Sequence, residues 1–79
     1  MTNMEKYQKV FMETFGIKAD KLAGLQYQDI SEWDSVGHMT LISTLEDEFG
    51  IMMDTDDIID FSSYEKGIEI LKKYSIVFD

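Results

Sequence analysis

The chain has 79 residues and a formal net charge of −9, from 16 acidic and 7 basic side chains. A chain of this length holds a single core, so we expect one domain over residues 1–79, without separate substrate and cofactor lobes. The acidic excess argues against nucleic-acid binding, because it repels phosphate backbones.

Cysteine is absent, which excludes disulfides and thiolate metal sites. The first six residues, MTNMEK, lack the apolar run of a secretory leader. No apolar segment approaches the roughly 20 residues that span a bilayer. We therefore expect a monomeric cytoplasmic protein that does not bind membranes.

Apolar residues near the N-terminus recur at steps of three and four, which predicts an amphipathic first helix that ends near Gly16. This stripe consists of Met4, Tyr7, Val10, Phe11 and Phe15. From Gly16 to Trp33 the periodicity fails, so we expect a long loop with a short helical turn near Asp20 to Gly24. Loops of this length in small domains tend to carry function.

A second helix is predicted between Asp34, which suits the N-cap position, and Gly50, which suits the left-handed residue that ends many helices. Its apolar stripe consists of Val36, Met39, Ile42, Leu45 and Phe49. Leu41 lies off this stripe and could face another helix or a bound apolar chain. Ser35 falls in the first turn, where unpaired N–H groups and the helix dipole favour an attached phosphate.

Two further helices are expected after Gly50. The segment 54–60 is long enough for one or two turns, and Ser62 and Glu65 have the capping-box spacing that predicts the start of a fourth helix. The inward stripe of this last helix consists of Tyr64, Ile68, Leu71 and Tyr74, whereas Lys66, Glu69, Lys72 and Lys73 are expected in solvent. The apolar tail 76–78 has no predicted place. The expected fold is an all-α four-helix bundle with three longer helices, a short third helix and a long first loop.

Six acidic residues are predicted on the second and third helices, near the same end of the bundle: Glu46, Asp47, Glu48, Asp56, Asp57 and Asp60. The first three oppose the helix dipole, at a cost of about a few tenths of a kcal/mol each, which indicates a role other than helix stability. Docking of basic partners is one explanation. A solvent face that only keeps the protein soluble is the other.

His38 is the only histidine and shares a helix face with Ser35. A hydrolase also needs an orienting acid and an oxyanion hole, which a continuous helix cannot readily bring to one carbonyl. We therefore expect no catalytic residue, and a solvated His38 that could contact a phosphate or a partner.

Asp54, Asp56 and Glu65 match the first, third and twelfth positions of a calcium-binding loop. Ile58 and Ile59 occupy positions that require an oxygen ligand and a turn glycine, so no specific metal site is expected.

Some apolar residues could line a pocket for a tethered acyl chain or simply form the core. They are Val36, Met39, Leu41, Ile58, Ile59 and Leu71.

The run Asp34-Ser35-Val36, followed by Met39, Leu41-Ile42 and residues 45–50, resembles the phosphopantetheine attachment motif of acyl carrier proteins and the helix after it. The other predicted elements are similar to that family in order and spacing over nearly the whole chain. The resemblance implies a non-catalytic carrier, in which a phosphopantetheinyl transferase attaches 4′-phosphopantetheine from coenzyme A to Ser35. Acyl intermediates would then be held as thioesters on the arm.

The resemblance also implies docking of acyl-activating and acyl-transferring enzymes on the acidic second and third helices, with Val36 and Met39 among the contacted residues. Trp33, Val36 and Gly37 depart from the common family pattern. A tryptophan beside the attachment site is expected to alter the surface that partners read. These departures favour a carrier of a specialised pathway, such as surface-polysaccharide, polyketide or nonribosomal peptide assembly, over the general carrier of fatty acid synthesis.

Two alternatives stay open. An aminoacyl or peptidyl carrier would share the fold and the arm but serve a different activating enzyme. An acidic helical interaction module, of a calcium-responsive or nucleic-acid-mimicking kind, would use Ser35 only as a helix cap.

Overall fold

The computed structural model describes residues 1–78, which form four α-helices and one 3₁₀ turn. The helices are α1 (Asn3–Phe15), α2 (Ser35–Phe49), α3 (Thr55–Asp60) and α4 (Tyr64–Lys72), and the 3₁₀ turn is Ala19–Lys21. The prediction of a small all-helical protein with four helices is confirmed, and the arrangement is compatible with a helical bundle. No helix in this part of the chain combines the length and apolarity needed to cross a membrane.

The ends of α2 are set by local side-chain chemistry, as predicted. The carboxylate of Asp34 accepts a hydrogen bond from the backbone N–H of Gly37 at 2.8 Å, which satisfies one of the free donors of the first turn. Gly50 ends the helix with a φ of 64°, a left-handed conformation that costs a glycine little.

The buried face of α2 differs from the predicted stripe. Leu41 is fully buried together with Ile42 and Leu45, whereas Val36 is 76% exposed and Met39 is 51% exposed. The inward face follows the steps of three and four that begin at His38 and continue through Leu41 and Leu45, so it is rotated from the predicted stripe. Val36 and Met39 consequently lie at the outer side of the helix, near Ser35 in sequence.

The sequence predicts Ser62 as the cap of α4, but the cap in the structure is Ser63. The Ser63 hydroxyl accepts from the backbone N–H of Lys66 at 2.9 Å. Glu65 does not complete a capping box, because it is only the second residue of the helix that Ser63 caps. Its carboxylate accepts from the backbone N–H of Gly24 at 2.9 Å. This contact joins the first loop to α4.

Aromatic rings form the centre of the core. The ring of Phe11 lies 5.2 to 6.2 Å, centroid to centroid, from the rings of Trp33, Phe61 and Tyr64. The hydroxyl of Tyr7 donates to the backbone carbonyl of Tyr64 at 2.7 Å, and burial raises the pKa of this phenol. All five rings are buried, which joins α1, the first loop and the segment around α4.

The tail, which the sequence does not place, packs on this core. The ring of Phe78 lies 5.5 Å from that of Tyr7 and 6.4 Å from that of Phe49. The side-chain amide of Asn3 donates to the carbonyl of Val77 at 3.0 Å. The end of the described chain therefore covers the start of α1.

The long first loop is ordered by backbone hydrogen bonds to the segment before α4. Tyr27 N–H donates to Ser62 at 2.9 Å, and Tyr64 N–H donates to Leu25 at 2.8 Å. Leu25 itself is buried. The loop is thus fixed at its middle and brings Trp33 to the core.

Helix α3 is attached by Ile58, which packs against the core, and by several polar contacts. Its only buried residue is Asp57, whose carboxylate accepts hydrogen bonds from the ammonium of Lys73, in an ion pair, and from the hydroxyl of Tyr74. The Tyr74 hydroxyl also accepts from the N–H of Asp54 at 2.9 Å. These contacts tie α3 to the residues that end α4, and they correct the expectation that Lys73 is only solvated.

This attachment predicts a dependence of stability on acid. Lys73 and then Tyr74 hold the pKa of the Asp57 carboxyl below its usual range. A carboxyl with a lowered folded-state pKa contributes stability above its unfolded value of about 3.9, and this contribution is lost as the pH falls through the folded value. We predict that Asp57→Asn lowers the melting temperature at pH 7, and that this difference shrinks below about pH 4.

Thermal melts followed by circular dichroism measure the effect. Asp56→Asn is the matched control, because Asp56 is the exposed neighbour in the same helix. Equal melting temperatures for Asp57→Asn and the unsubstituted protein at pH 7 would contradict the attachment.

Candidate functional site

Ser35 is the first residue of α2 and is exposed. The cap of this helix is Asp34, and the Ser35 hydroxyl makes no hydrogen bond to any of the residues 1–78. The backbone N–H groups of Ser35 and Val36 have no acceptor within the helix, because they belong to its first turn. The structure therefore places a free hydroxyl beside two free amide donors, at the positive end of a 15-residue helix.

A cleft with a volume of about 330 Å³ opens beside this hydroxyl. Its walls are largely aromatic and apolar side chains from the first loop, α2, α3 and the residues after α3: Tyr27, His38, Met39, Ile58, Ile59 and Phe61, together with Ser35 and Ser62. A second, more open groove starts at the same serine and follows the exposed side of α2 to Asp47.

Only half of the predicted pocket residues line the cleft. Met39, Ile58 and Ile59 do so. Leu41 and Leu71 do not line the cleft. Both are core residues with 0% exposure. Val36 lines the open groove along α2 instead.

His38 is partly buried and doubly hydrogen-bonded, so the expectation of a solvated ring is wrong. Its Nδ1 accepts from the indole Nε1–H of Trp33 at 3.0 Å, and its Nε2 lies 2.8 Å from the backbone carbonyl oxygen of Ile58. An indole N–H can only donate and a carbonyl can only accept. In this arrangement Nδ1 is the acceptor and Nε2 is the donor.

Trp33 is fully buried, which corrects the expectation that it shapes a surface read by partners. Its ring lies 5.3 Å from that of Phe15 and 5.5 Å from that of Phe11, on the core side of α1. The buried tryptophan thus anchors the loop that leads into α2. The ring is therefore not part of the surface around Ser35.

Gly37 allows the loop to pass close to the first turn of α2. A Cβ atom built on Gly37 would overlap the backbone carbonyl of Glu32. The overlap involves backbone on the loop side, so a side chain at this position requires the loop or the helix to move. This close approach explains why a glycine occupies position 37.

Of the six predicted acidic docking residues, four are exposed and two are engaged in contacts within the protein. Asp47, Glu48, Asp56 and Asp60 are exposed. Asp57 is buried and paired with Lys73, so it does not belong to an exposed acidic surface. Glu46 accepts from the backbone N–H of Met53 at 2.9 Å, which accounts for an acidic residue at the unfavourable end of α2.

Catalytic and metal-binding arrangements are not assembled around the serine. The nitrogens of His38 are both engaged, so neither can act as a base for Ser35 without breaking a contact. In residues 1–78 no three acidic or histidine side chains are placed to hold a metal ion. The site is a hydroxyl at a helix start with a cleft beside it.

Sequence reasoning missed the link between Trp33, His38 and the carbonyl of Ile58. Trp33 and His38 are five residues apart across the start of α2, and this spacing indicates that they could pair. Nothing in the sequence indicates that a backbone carbonyl of α3 completes it.

Comparison of the chain with known protein families, with curated proteins and with solved structures finds no match. The function is therefore inferred from the geometry around Ser35 and from the motif that contains it.

The close approach at Gly37 generates a test of this geometry. In an unconstrained helix, alanine is more stable than glycine by about 1 kcal/mol. Here we predict that Gly37→Ala lowers the free energy of unfolding by about 1 to 3 kcal/mol, because a methyl group is forced against loop backbone.

Urea unfolding followed by circular dichroism gives the value. Ser43→Ala, at an exposed position in the same helix, is the control for helix propensity and should be neutral or stabilising. A Gly37→Ala protein more stable than the unsubstituted one would show that the loop is not packed against α2 as described.

Proposed function

We propose that the protein is an acyl carrier, in which Ser35 bears a 4′-phosphopantetheine arm attached by a separate transferase. The observation that carries this proposal is the Ser35 hydroxyl, which is exposed, free of hydrogen bonds within residues 1–78 and located at the start of a helix capped by another residue. Ser35 is not the cap of α2, because Asp34 has that role, so helix capping does not account for the serine.

The residues around Ser35 suit a phosphate ester. The free N–H groups of Ser35 and Val36 can donate to phosphate oxygens, and the helix dipole favours negative charge at this end. The cleft of about 330 Å³ offers apolar and aromatic walls to an arm or its cargo. When bound, the arm supplies a terminal thiol that holds acyl groups as thioesters.

Attachment needs no catalytic group on this chain. The Ser35 oxygen would form a bond to the phosphorus next to the pantetheine of coenzyme A, as the phosphoanhydride bond breaks and 3′,5′-ADP leaves. The transferase would supply the base that takes the hydroxyl proton and the metal ion that neutralises the pyrophosphate. The protein's part is to present an accessible hydroxyl in a fixed orientation.

Partner enzymes are proposed to dock on the outer side of α2. Val36 and Met39 are exposed apolar residues next to Ser35, and the groove they line reaches the acidic Asp47. An apolar patch with acidic residues at its border fits a partner that presents an apolar contact surrounded by basic residues. The buried Asp57 has no part in this docking surface.

The first test of this proposal is enzymatic attachment. Incubation with coenzyme A and a phosphopantetheinyl transferase of broad specificity is predicted to raise the intact mass by one phosphopantetheine group. Ser35→Ala should gain no mass and should keep the melting temperature of the unsubstituted protein within a few degrees, because Asp34 caps the helix.

Ser31→Ala is the matched control, since Ser31 is an exposed serine in the preceding loop. It should be labelled as fully as the unsubstituted protein. Labelling of Ser35→Ala, or no labelling of a folded unsubstituted protein by several transferases, would contradict the proposal. Binding of a basic partner by unlabelled protein and by Ser35→Ala alike would instead favour the acidic interaction module.

Charge on α2 is predicted to speed the encounter with the transferase. Neutralising Asp47→Asn and Glu48→Gln together should lower the second-order rate of labelling by about tenfold at low salt, because electrostatic steering is weakened. The difference should diminish at high salt.

The rate is measured from the time course of the intact mass. Glu13→Gln with Asp20→Asn removes the same charge from exposed positions outside α2 and α3 and should change the rate much less. Equal loss of rate in both double variants would mean that only net charge matters and that α2 is not the docking element.

A further inference from the structure

The ring of Phe61 closes the cleft beside Ser35 on the side that faces the core. Phe61 lines the cleft but is only 1% exposed, so its ring forms the floor of the cleft. Met39 and Ile59 also line the cleft and are largely exposed, so they form its outer walls. A group that enters between these outer walls therefore meets the Phe61 ring before it meets the rest of the core.

Contacts with three helices hold the Phe61 ring in place. The ring stacks on that of Phe11 in α1, with centroids 6.2 Å apart and planes at 24°. The imidazole of His38 in α2 lies 6.0 Å away in an edge-to-face arrangement. On the side of α4 the ring packs against the backbone at Gly67, where an added Cβ atom would overlap it. Because protein cores are densely packed, moving the ring aside would displace residues of all three helices.

The space in front of Phe61 is small. The volume of the cleft is about 330 Å³, near the lower limit of the range of about 300 to 1,000 Å³ that is typical of small-molecule sites. A water molecule takes about 30 Å³ of liquid, and a carbon atom with its hydrogens needs a similar space. The cleft therefore has room for about ten non-hydrogen atoms.

The walls of the cleft also restrict the charge of an occupant. Among the described residues that line the cleft, none is an aspartate, glutamate, lysine or arginine. The polar groups of the lining are the hydroxyls of Tyr27, Ser35 and Ser62 and the imidazole of His38. A charged group in the cleft would lose hydration without gaining an ion pair, which is costly. The aliphatic and aromatic walls favour an uncharged apolar group.

We propose that Phe61 limits the size of the cargo: the cleft shelters an uncharged apolar acyl group of about ten non-hydrogen atoms or fewer, and Phe61 keeps longer chains out of the core. The inference rests on the proposed carrier function, because the arm would begin at Ser35 beside the cleft. It names the class of cargo that the protein shelters. The free ammonium of an aminoacyl group and the far end of a long acyl chain stay in solvent.

The test fills the cleft chemically and does not depend on a transferase. Because the chain has no cysteine, Ser35→Cys provides a single thiol beside the cleft. Alkyl methanethiosulfonates, from ethyl to hexadecyl, attach an alkyl group to this thiol. The thiolate sulfur bonds to the sulfur that bears the alkyl group, the bond between that sulfur and the sulfonyl group breaks, and methanesulfinate leaves.

We expect the melting temperature to rise by several degrees from the ethyl to about the octyl derivative, because each added methylene is buried. From octyl to hexadecyl we expect no further rise. The methyl resonances of Met39, Ile58 and Ile59 should shift over the same part of the series. An aminoethyl group should give no rise relative to the unlabelled protein, although it has as many non-hydrogen atoms as a propyl group, because its ammonium is charged.

Two further variants separate the cleft from general effects of alkylation. Ser43→Cys is the matched control, because Ser43 is exposed in the same helix and does not line the cleft. Its melting temperature should not depend on the length of the alkyl group. Phe61→Leu, combined with Ser35→Cys, shortens the residue at the floor and should move the plateau to longer alkyl groups.

Several results would overturn the proposal. They are a melting temperature that rises steadily to hexadecyl, no rise with any alkyl group, a rise with aminoethyl equal to that with propyl, and an unmoved plateau in folded Phe61→Leu. If Phe61→Leu does not fold, nuclear Overhauser effects between the end of the octyl chain and the Phe61 ring decide its role. They are expected in octyl-labelled Ser35→Cys, and their absence would contradict the proposal.

The outcome is distinguishable from that of enzymatic attachment. A failed size limit would leave the attachment of an arm to Ser35 as proposed. Failure of the transferase to label the protein would remove the carrier function, whereas the chemical series would still measure what the cleft accepts.

Discussion

The hydrogen bond from the buried indole of Trp33 to His38 is the contact on which the arrangement around the site depends. A buried indole N–H without an acceptor would cost about 1 to 3 kcal/mol, so the core position of Trp33 requires a partner close to the start of α2. His38 meets that need with Nδ1 and uses Nε2 to hold the carbonyl of Ile58. One ring thereby connects the first loop, α2 and α3.

That connection determines how Ser35 is presented. The loop that contains Trp33 is anchored in the aromatic core, and Gly37 lets it pass against the first turn of α2 without a steric conflict. Asp34 takes the capping role, which leaves the hydroxyl of Ser35 free at the helix start. The proposed attachment of an arm and the cleft that could receive it both follow from this packing.

Local sequence patterns predicted the helices well. They did not predict the contacts between segments that are distant in sequence. Asp34 and Gly50 mark the ends of α2 through bonds to residues near in sequence, so their roles could be predicted. The burial of Trp33 and the pairing of Asp57 with Lys73 depend on how the helices pack, and a single sequence with several apolar faces does not specify this. For the same reason the apolar stripe does not identify the inward face of α2, which includes Leu41 and excludes Val36. The exposure of Ser35 agreed with expectation because it depends on its position in the first turn.

The central claim is that Ser35 is modified in the cell. Tandem mass spectrometry of the protein isolated from its own organism tests this most directly, because it reports the mass of any attached group and the residue that bears it. The account predicts a phosphopantetheine group, with or without cargo, on the peptide that contains Ser35. Protein that is unmodified at Ser35 under all growth conditions, or that bears the group on another residue, would contradict it.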